Sequence, residues 1–359
     1  MTDVYRKLQE RLDDMATGFP ATADGVEMKI LKRLFTEEDA ALFIEMSPLL
    51  EKPEDVAERL GREPAALSAQ LAAMAQKGLL FRVRKGDRAR YAAPPYVVGI
   101  FEFQLNEMEG EFARDNDAYF EEALGKEIQA FQTPVLRSIP VKRELVAEWP
   151  VAPYEDALEI IKSHKKIAVM PCICRTMNAA LDKACDKPLE VCMAFGSHAD
   201  YYVENNMGRY IQAEEALEVL KKGEEAGLVL QPFNSQKVGG MCSCCGCCCG
   251  VLRSLKKQPK PAEMVKSNYF AVVSSEDCIG CETCLDRCQI DAVRMADDTA
   301  VVDLDRCIGC GLCVTTCPEE AIRLMKKPES NQYLPPKTGA ETYIRIAEER
   351  GKLDKLMPS

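Results

Sequence analysis

Two runs of cysteine constrain this chain more than any other feature: Cys278-x2-Cys281-x2-Cys284-x3-Cys288 and, after a gap, Cys307-x2-Cys310-x2-Cys313-x3-Cys317-Pro318. Three cysteines two residues apart can turn their sulfurs around one face of an iron-sulfur cube, while the fourth points away and reaches the other cube. The two runs must therefore be read together. One [4Fe-4S] cluster takes Cys278, Cys281, Cys284 and Cys317, and the second takes Cys288, Cys307, Cys310 and Cys313. A pair of zinc sites is the other use of eight thiols, but such sites usually separate their cysteine pairs by longer loops.

Residues 268–327 resemble the bacterial ferredoxin with two [4Fe-4S] clusters. An internal repeat accompanies the cysteines: Phe270-Ala-Val-Val precedes the first run as Ala300-Val-Val-Asp precedes the second, and Asp291-Ala-Val-Arg follows the first as Glu320-Ala-Ile-Arg follows the second. The resemblance implies a ferredoxin-like βαββαβ domain in which each half is strand, cluster loop, short helix, strand. One residue departs from the pattern. The first run ends Cys288-Gln289 where the family usually has proline, whereas Cys317-Pro318 keeps it; loss of the proline softens the turn without touching ligation.

Eighteen cysteines in 359 residues, with 47% apolar and 29% charged residues, describe a globular chain rich in metal ligands. The first fifteen residues alternate charged and apolar side chains and lack the apolar core of a signal peptide, and no run approaches the roughly 20 apolar residues of a membrane helix. A cytoplasmic protein is expected, with thiols kept for metal rather than for disulfides, and so many cluster ligands point to an anaerobe. The net charge of -11 disfavours nonspecific binding to nucleic acid or anionic lipid.

Residues 1–100 read as helices followed by a hairpin. Thr36-Glu-Glu-Asp starts one helix, Pro53 starts a second that Gly61 closes, and Pro64 starts a third that runs through Leu67, Leu71 and Met74 to Gly78. Leu79-Leu-Phe-Arg-Val-Arg, a turn at Lys85-Gly86-Asp87 and Arg88-Ala-Arg-Tyr form the hairpin. Three helices and a wing resemble a winged helix-turn-helix. Its third helix would offer a DNA groove mainly Ala65, Ala66, Ser68, Ala69, Ala72 and Ala73, with Gln70 as the one good base reader. The wing carries Arg82, Arg84, Lys85, Arg88 and Arg90, which could touch phosphates. Protein contact is the expected use, with DNA the weaker alternative.

Residues 101–165 read as a helical connector without a catalytic signature, and His164 as a surface or helix-capping residue. A cysteine-rich α/β domain follows at 166–252. It opens on the strand Lys166-Ile-Ala-Val-Met, continues with Cys172, Cys174, Cys185 and Cys192, and ends with Cys242, Cys244, Cys245, Cys247, Cys248 and Cys249 between glycines. These ten thiols are the candidate ligands of at least one further iron-sulfur cluster; a zinc site and a reactive-thiol segment are the alternatives. Because adjacent side chains diverge, no more than four of the six in the second group are expected to ligate. The Cys-Cys-Gly there resembles the CCG domain of heterodisulfide reductases in that tripeptide alone, and no active-site residue carries over. His198 is expected to pack or hydrogen-bond rather than ligate.

Residues 253–267 read as a linker and 328–359 as a carboxyl-terminal arm for docking or dimer contact. The whole is an α+β multidomain chain whose order of parts resembles a group of iron-sulfur proteins of anaerobic bacteria and archaea. The implied function is single-electron transfer to or from a partner oxidoreductase. Two alternatives remain: a redox-responsive winged-helix regulator, and a reductase subunit with an unusual substrate-binding cluster at Cys242–Cys249. No dinucleotide fingerprint, P-loop or nucleophile elbow points to self-contained chemistry.

Overall fold

The computed structural model describes residues 3–146 and 148–357; Met1, Thr2, Ala147, Pro358 and Ser359, which the reading of the two termini and of the connector includes, lie outside the described residues. The amino-terminal part forms as its start and stop signals dictate. Thr36 accepts the amide of Asp39 at 3.1 Å and begins the helix Glu37–Ile44. Pro53–Leu60 ends at Gly61 with φ 61°, a left-handed cap that glycine adopts without penalty. Pro64–Gln76 follows and buries Leu67, Leu71 and Met74. Strands β1 (Phe81–Lys85) and β2 (Arg88–Ala92) then pair as an antiparallel hairpin.

The hairpin is not free. Arg82 is 4% exposed and donates to Glu204 at 2.8 Å and to Asn205 Oδ1 at 3.0 Å, and Arg84 lies 3.3 Å from the same glutamate. Tyr201 Oη donates to the carbonyls of Ala75 or Leu80, at 3.0 and 2.9 Å. Two of the five cations that could touch phosphates are thus spent on the helix Ser197–Glu204 and its C-cap Asn205.

A five-stranded sheet forms the centre, in the order β5 (Arg209–Ile211), β3 (Ile167–Pro171), β4 (Glu190–Phe195), β7 (Gly240–Cys244), β6 (Val229–Pro232). Every neighbouring pair is antiparallel, which corrects the α/β expectation. The apolar run of β3 misleads because the sheet is covered on both faces: Ala168 and Met170 pack into the amino-terminal core, Ile167 and Val169 into the core beneath the helix Ala213–Glu225. A strand buried on both sides reads the same in a parallel sheet. Connector residues 136–139 add to the β6 edge through the bridges Leu136 to Phe233 and Ile139 to Leu230. The expected linker is partly helical, at Gly250–Lys256 and Pro261–Val265.

In the carboxyl-terminal region β8 (Tyr269–Val273) pairs with β11 (Ile322–Lys326), and β9 (Val293–Ala296) with β10 (Thr299–Val302). The short helix of the first half is Thr283–Arg287. Its counterpart in the second half is a set of turns from Gly311, where φ is 80°, rather than a helix. The last segment is no free arm: its helix Gly339–Glu349 buries Ile346 in the amino-terminal core, and Arg350 lies 3.3 Å from Asp13 and 2.7 Å from Glu127. No helix among the described residues is long and apolar enough to cross a membrane.

Candidate metal centres

The first run of the carboxyl-terminal region brings Cys278, Cys281 and Cys284 to one pocket, and Cys317 from the second run lines the same pocket with Met295, Ala300 and Ile322. Cys288 in turn lies among Cys307, Cys310 and Cys313, each of which feels its charge. Burial pushes the Cys310 thiol up to about 12, so an isolated thiolate there is costly and a cationic metal centre would relieve it. Backbone amides point at the sulfurs: Ala292 N–H at Cys288 (3.1 Å), Ala271 N–H at Cys307 (3.4 Å) and Ala300 N–H at Cys278 (3.5 Å). Gly280 and Gly309 stand at the same place in each run with φ 67° and 65°, and a Cβ at Gly309 would sit 2.2 Å from the Tyr269 carbonyl oxygen. An all-sulfur donor set, amides aimed at sulfur and loops closed down by glycine fit [4Fe-4S] clusters.

The ten remaining thiols separate into two sets. Contacts run round a closed ring from Cys172 to Cys174, Cys249, Cys244, Cys242, Cys192 and back to Cys172. Side-chain contacts with neighbouring thiols push Cys172, Cys242 and Cys249 down, Cys242 to about 5, and push Cys174, Cys192 and Cys244 up, as expected where thiols share charge in one buried cluster. The second set is Cys185, Cys245, Cys247 and Cys248, whose sulfurs all lie within 4.8 Å of one another. All six cysteines of the 242–249 segment face one set or the other.

Chain geometry explains the division. Cys242 and Cys244 lie two residues apart on β7 and point the same way, so both reach the ring, while Cys245 leaves on the other side. Cys248 and Cys249 diverge in the same manner at the start of the helix Gly250–Lys256. Cys172 precedes the helix Ile173–Ala179 and Cys174 lies in its first turn, so a helix start rather than strand alternation brings that pair together. Buried Arg175 from this helix donates to the Ser243 carbonyl at 2.9 Å and lies near Cys172 and Cys245, a fixed cation between the two sets.

The histidines stay outside. His164 Nδ1 lies 2.8 Å from the Ile160 carbonyl oxygen at a helix end and its ring stacks on Phe195, and His198 stacks on Phe81 with centroids 4.7 Å apart. Sequence reasoning missed Glu102 and Tyr202, which stand close to the ring: Cys242 and Cys249 act on Glu102, and Cys242 and Cys192 on Tyr202. Burial pushes the Glu102 carboxyl up to about 8, partly offset by the Gly99 amide, which it accepts at 2.7 Å. A glutamate between two phenylalanines carries no local signal.

Gly246, between Cys245 and Cys247, donates its amide to Gln289 Oε1 at 2.8 Å. A Cβ at Gly246 would lie 2.3 Å from the Gln289 carbonyl oxygen, so the turn and the loop after Cys288 are in backbone contact. Arg287 donates to the carbonyls of Glu224 and Glu225, which fixes the carboxyl-terminal region to the cysteine-rich one, and Arg306 donates to those of Lys256 and Gln258 in the segment between them.

Residues 271–324 match the family model of the 4Fe-4S dicluster domain. [4Fe-4S] clusters are the cofactors of this chain, more than one of them. Comparison with curated proteins gives no match, nor does comparison with solved structures.

Proposed function

We propose that this chain is an electron-transfer protein in which the dicluster domain passes single electrons between an external redox partner and a further cluster held by the six-thiol ring. The observation that carries the reading is the contact of Gln289 with Gly246. It sets the loop leaving Cys288 directly against the cysteine-rich turn, where a Cβ at Gly246 would lie 2.3 Å from the Gln289 carbonyl oxygen. Crossed ligation by Cys288 and Cys317 couples the two dicluster cubes, and amides directed at sulfur tune their potentials.

The external port lies at the loop of the first cysteine run. Cys281 is exposed, Ile279 beside it is 64% exposed, and Glu282 in the same loop is exposed. An apolar contact flanked by the Glu282 carboxylate suits a redox partner with a basic docking face. The amino-terminal helices and hairpin serve protein packing in this reading, since Arg82 and Arg84 pair with Glu204. The test is anaerobic purification with iron and sulfide analysis and EPR of the reduced chain. Iron in excess of the eight of a dicluster domain, with ring signals that disappear in Cys172→Ser, is expected; eight irons and no third signal refute it.

A second reading is favoured by Glu102 and Tyr202 beside the ring. They place two buried proton-bearing groups within electrostatic reach of the proposed terminal cluster, an arrangement that would suit a proton-coupled reduction of a bound substrate. Loss of turnover with an unchanged ring EPR signal in Glu102→Gln would select this reading over pure electron transfer.

A further inference from the structure

The second thiol set of the cysteine-rich region is compact. In a cubane each thiolate caps its own iron at a corner, which spreads the four sulfurs roughly 6 Å apart. A single tetrahedral ion with metal-sulfur bonds of about 2.3 Å instead draws them to about 3.8 Å, the edge of that tetrahedron. In the second set Cys248 Sγ lies 3.6 Å from Cys185 Sγ and 3.7 Å from Cys247 Sγ, and all four sulfurs are within 4.8 Å. That is the spacing of a mononuclear centre and too small for a cube.

We propose that Cys185, Cys245, Cys247 and Cys248 form a closed four-thiolate site for one zinc ion, separate from the [4Fe-4S] clusters and from the six-thiol ring. The donor set is complete and purely thiolate, with no open position, as structural zinc requires. Its ligands come from two places: Cys185 from the segment between the helix Ile173–Ala179 and β4, the other three from the turn after β7. The ion displaces the thiol protons to solvent and joins these segments. Arg175 near Cys245 balances part of the excess negative charge of four thiolates around a divalent ion. Asn178 supports the turn by donating to the Cys248 carbonyl at 3.3 Å. The staple thereby fixes the turn whose Gly246 meets Gln289, holding the junction by an ion that cannot itself change oxidation state.

The experiment uses the full chain purified without oxygen, with zinc, iron and sulfide measured on the same samples, and a parallel preparation grown with Co2+. One zinc per chain, and ligand-field bands of tetrahedral thiolate Co2+ in the cobalt preparation, are expected. Cys247→Ser, a change at an exposed position, should lower zinc well below one per chain with iron and sulfide unchanged, whereas Cys247→His should retain it, since zinc accepts three cysteines and a histidine. Loss of about four irons with their sulfide in Cys247→Ser overturns the proposal, as does wild-type protein with no zinc and no tetrahedral Co2+ spectrum. EPR of the dicluster domain on the same samples reads the electron-transfer function independently.

Discussion

Gln289 Oε1 accepts the Gly246 amide at 2.8 Å, and this one bond joins the residue after Cys288 to the turn between Cys245 and Cys247. The proline that the resemblance to bacterial ferredoxins leads one to expect at that position has no side-chain acceptor. The departure from the pattern is thus put to use: the chain gives up a stiff loop exit and gains a polar contact to the neighbouring thiol centre.

Replacing Gln289 by alanine leaves the buried Gly246 amide without its acceptor, which costs about 1–3 kcal/mol. Denaturant unfolding of the loaded chain should show a loss of that size, and reduction of the ring centre by the dicluster domain should slow. Gly246→Ala, which forces a Cβ to 2.3 Å from the Gln289 carbonyl oxygen, should be the more damaging of the two. Wild-type stability and transfer rates in both variants would remove the junction from the mechanism.

Cys317→Ser should alter the cluster held by Cys278, Cys281 and Cys284, whose cavity Cys317 lines. Cys288→Ser should alter the other. EPR that assigns each substitution to the cluster of its own run would refute crossed ligation.

Arg82→Ala removes a buried guanidinium from Glu204 and Asn205 and should destabilise the chain by about 2 kcal/mol, the range for hydrogen bonds to charged groups. The full chain should show no strongly salt-dependent affinity for duplex DNA. Sequence-specific retention at physiological salt, abolished by Arg88→Ala with Arg90→Ala, would contradict the protein-packing role of the hairpin.

Burial raises the Glu102 carboxyl from 4.5 to about 8 in the folded chain. The unfolded chain then gives up this proton at lower pH than the folded one, so the contribution of Glu102 is full below about pH 4.5 and is lost as pH rises through about 8. Glu102→Gln should remove that decline, leaving the variant more stable than wild type above pH 8 by an amount on the order of a few kcal/mol. Thermal unfolding of both proteins across this range measures it; parallel curves would show that the carboxyl is not held protonated.

Local spacing made part of this protein legible. The grouping of Cys278, Cys281 and Cys284, and of Cys307, Cys310 and Cys313, follows from how far a short loop can carry a sulfur, and the matched glycines at 280 and 309 close those loops in both halves. Thr36, Pro53, Gly61 and Pro64 likewise set helix ends by capping chemistry within a few residues. What spacing could not decide was which distant segments meet. The split of ten thiols into a ring of six and a compact four depends on β7 lying beside β4, which brings Cys242 to Cys192, and on Cys185 reaching back to the turn at Cys245–Cys248. The use of Arg82 on Glu204, the antiparallel course of a strand apolar on both faces, and the docking of Ile346 into the first core also required tertiary contacts. Loop length and dihedral preference act over a few residues, so they write themselves into adjacent letters; the partners of a buried charge or a thiol are set by the packing of whole strands and helices.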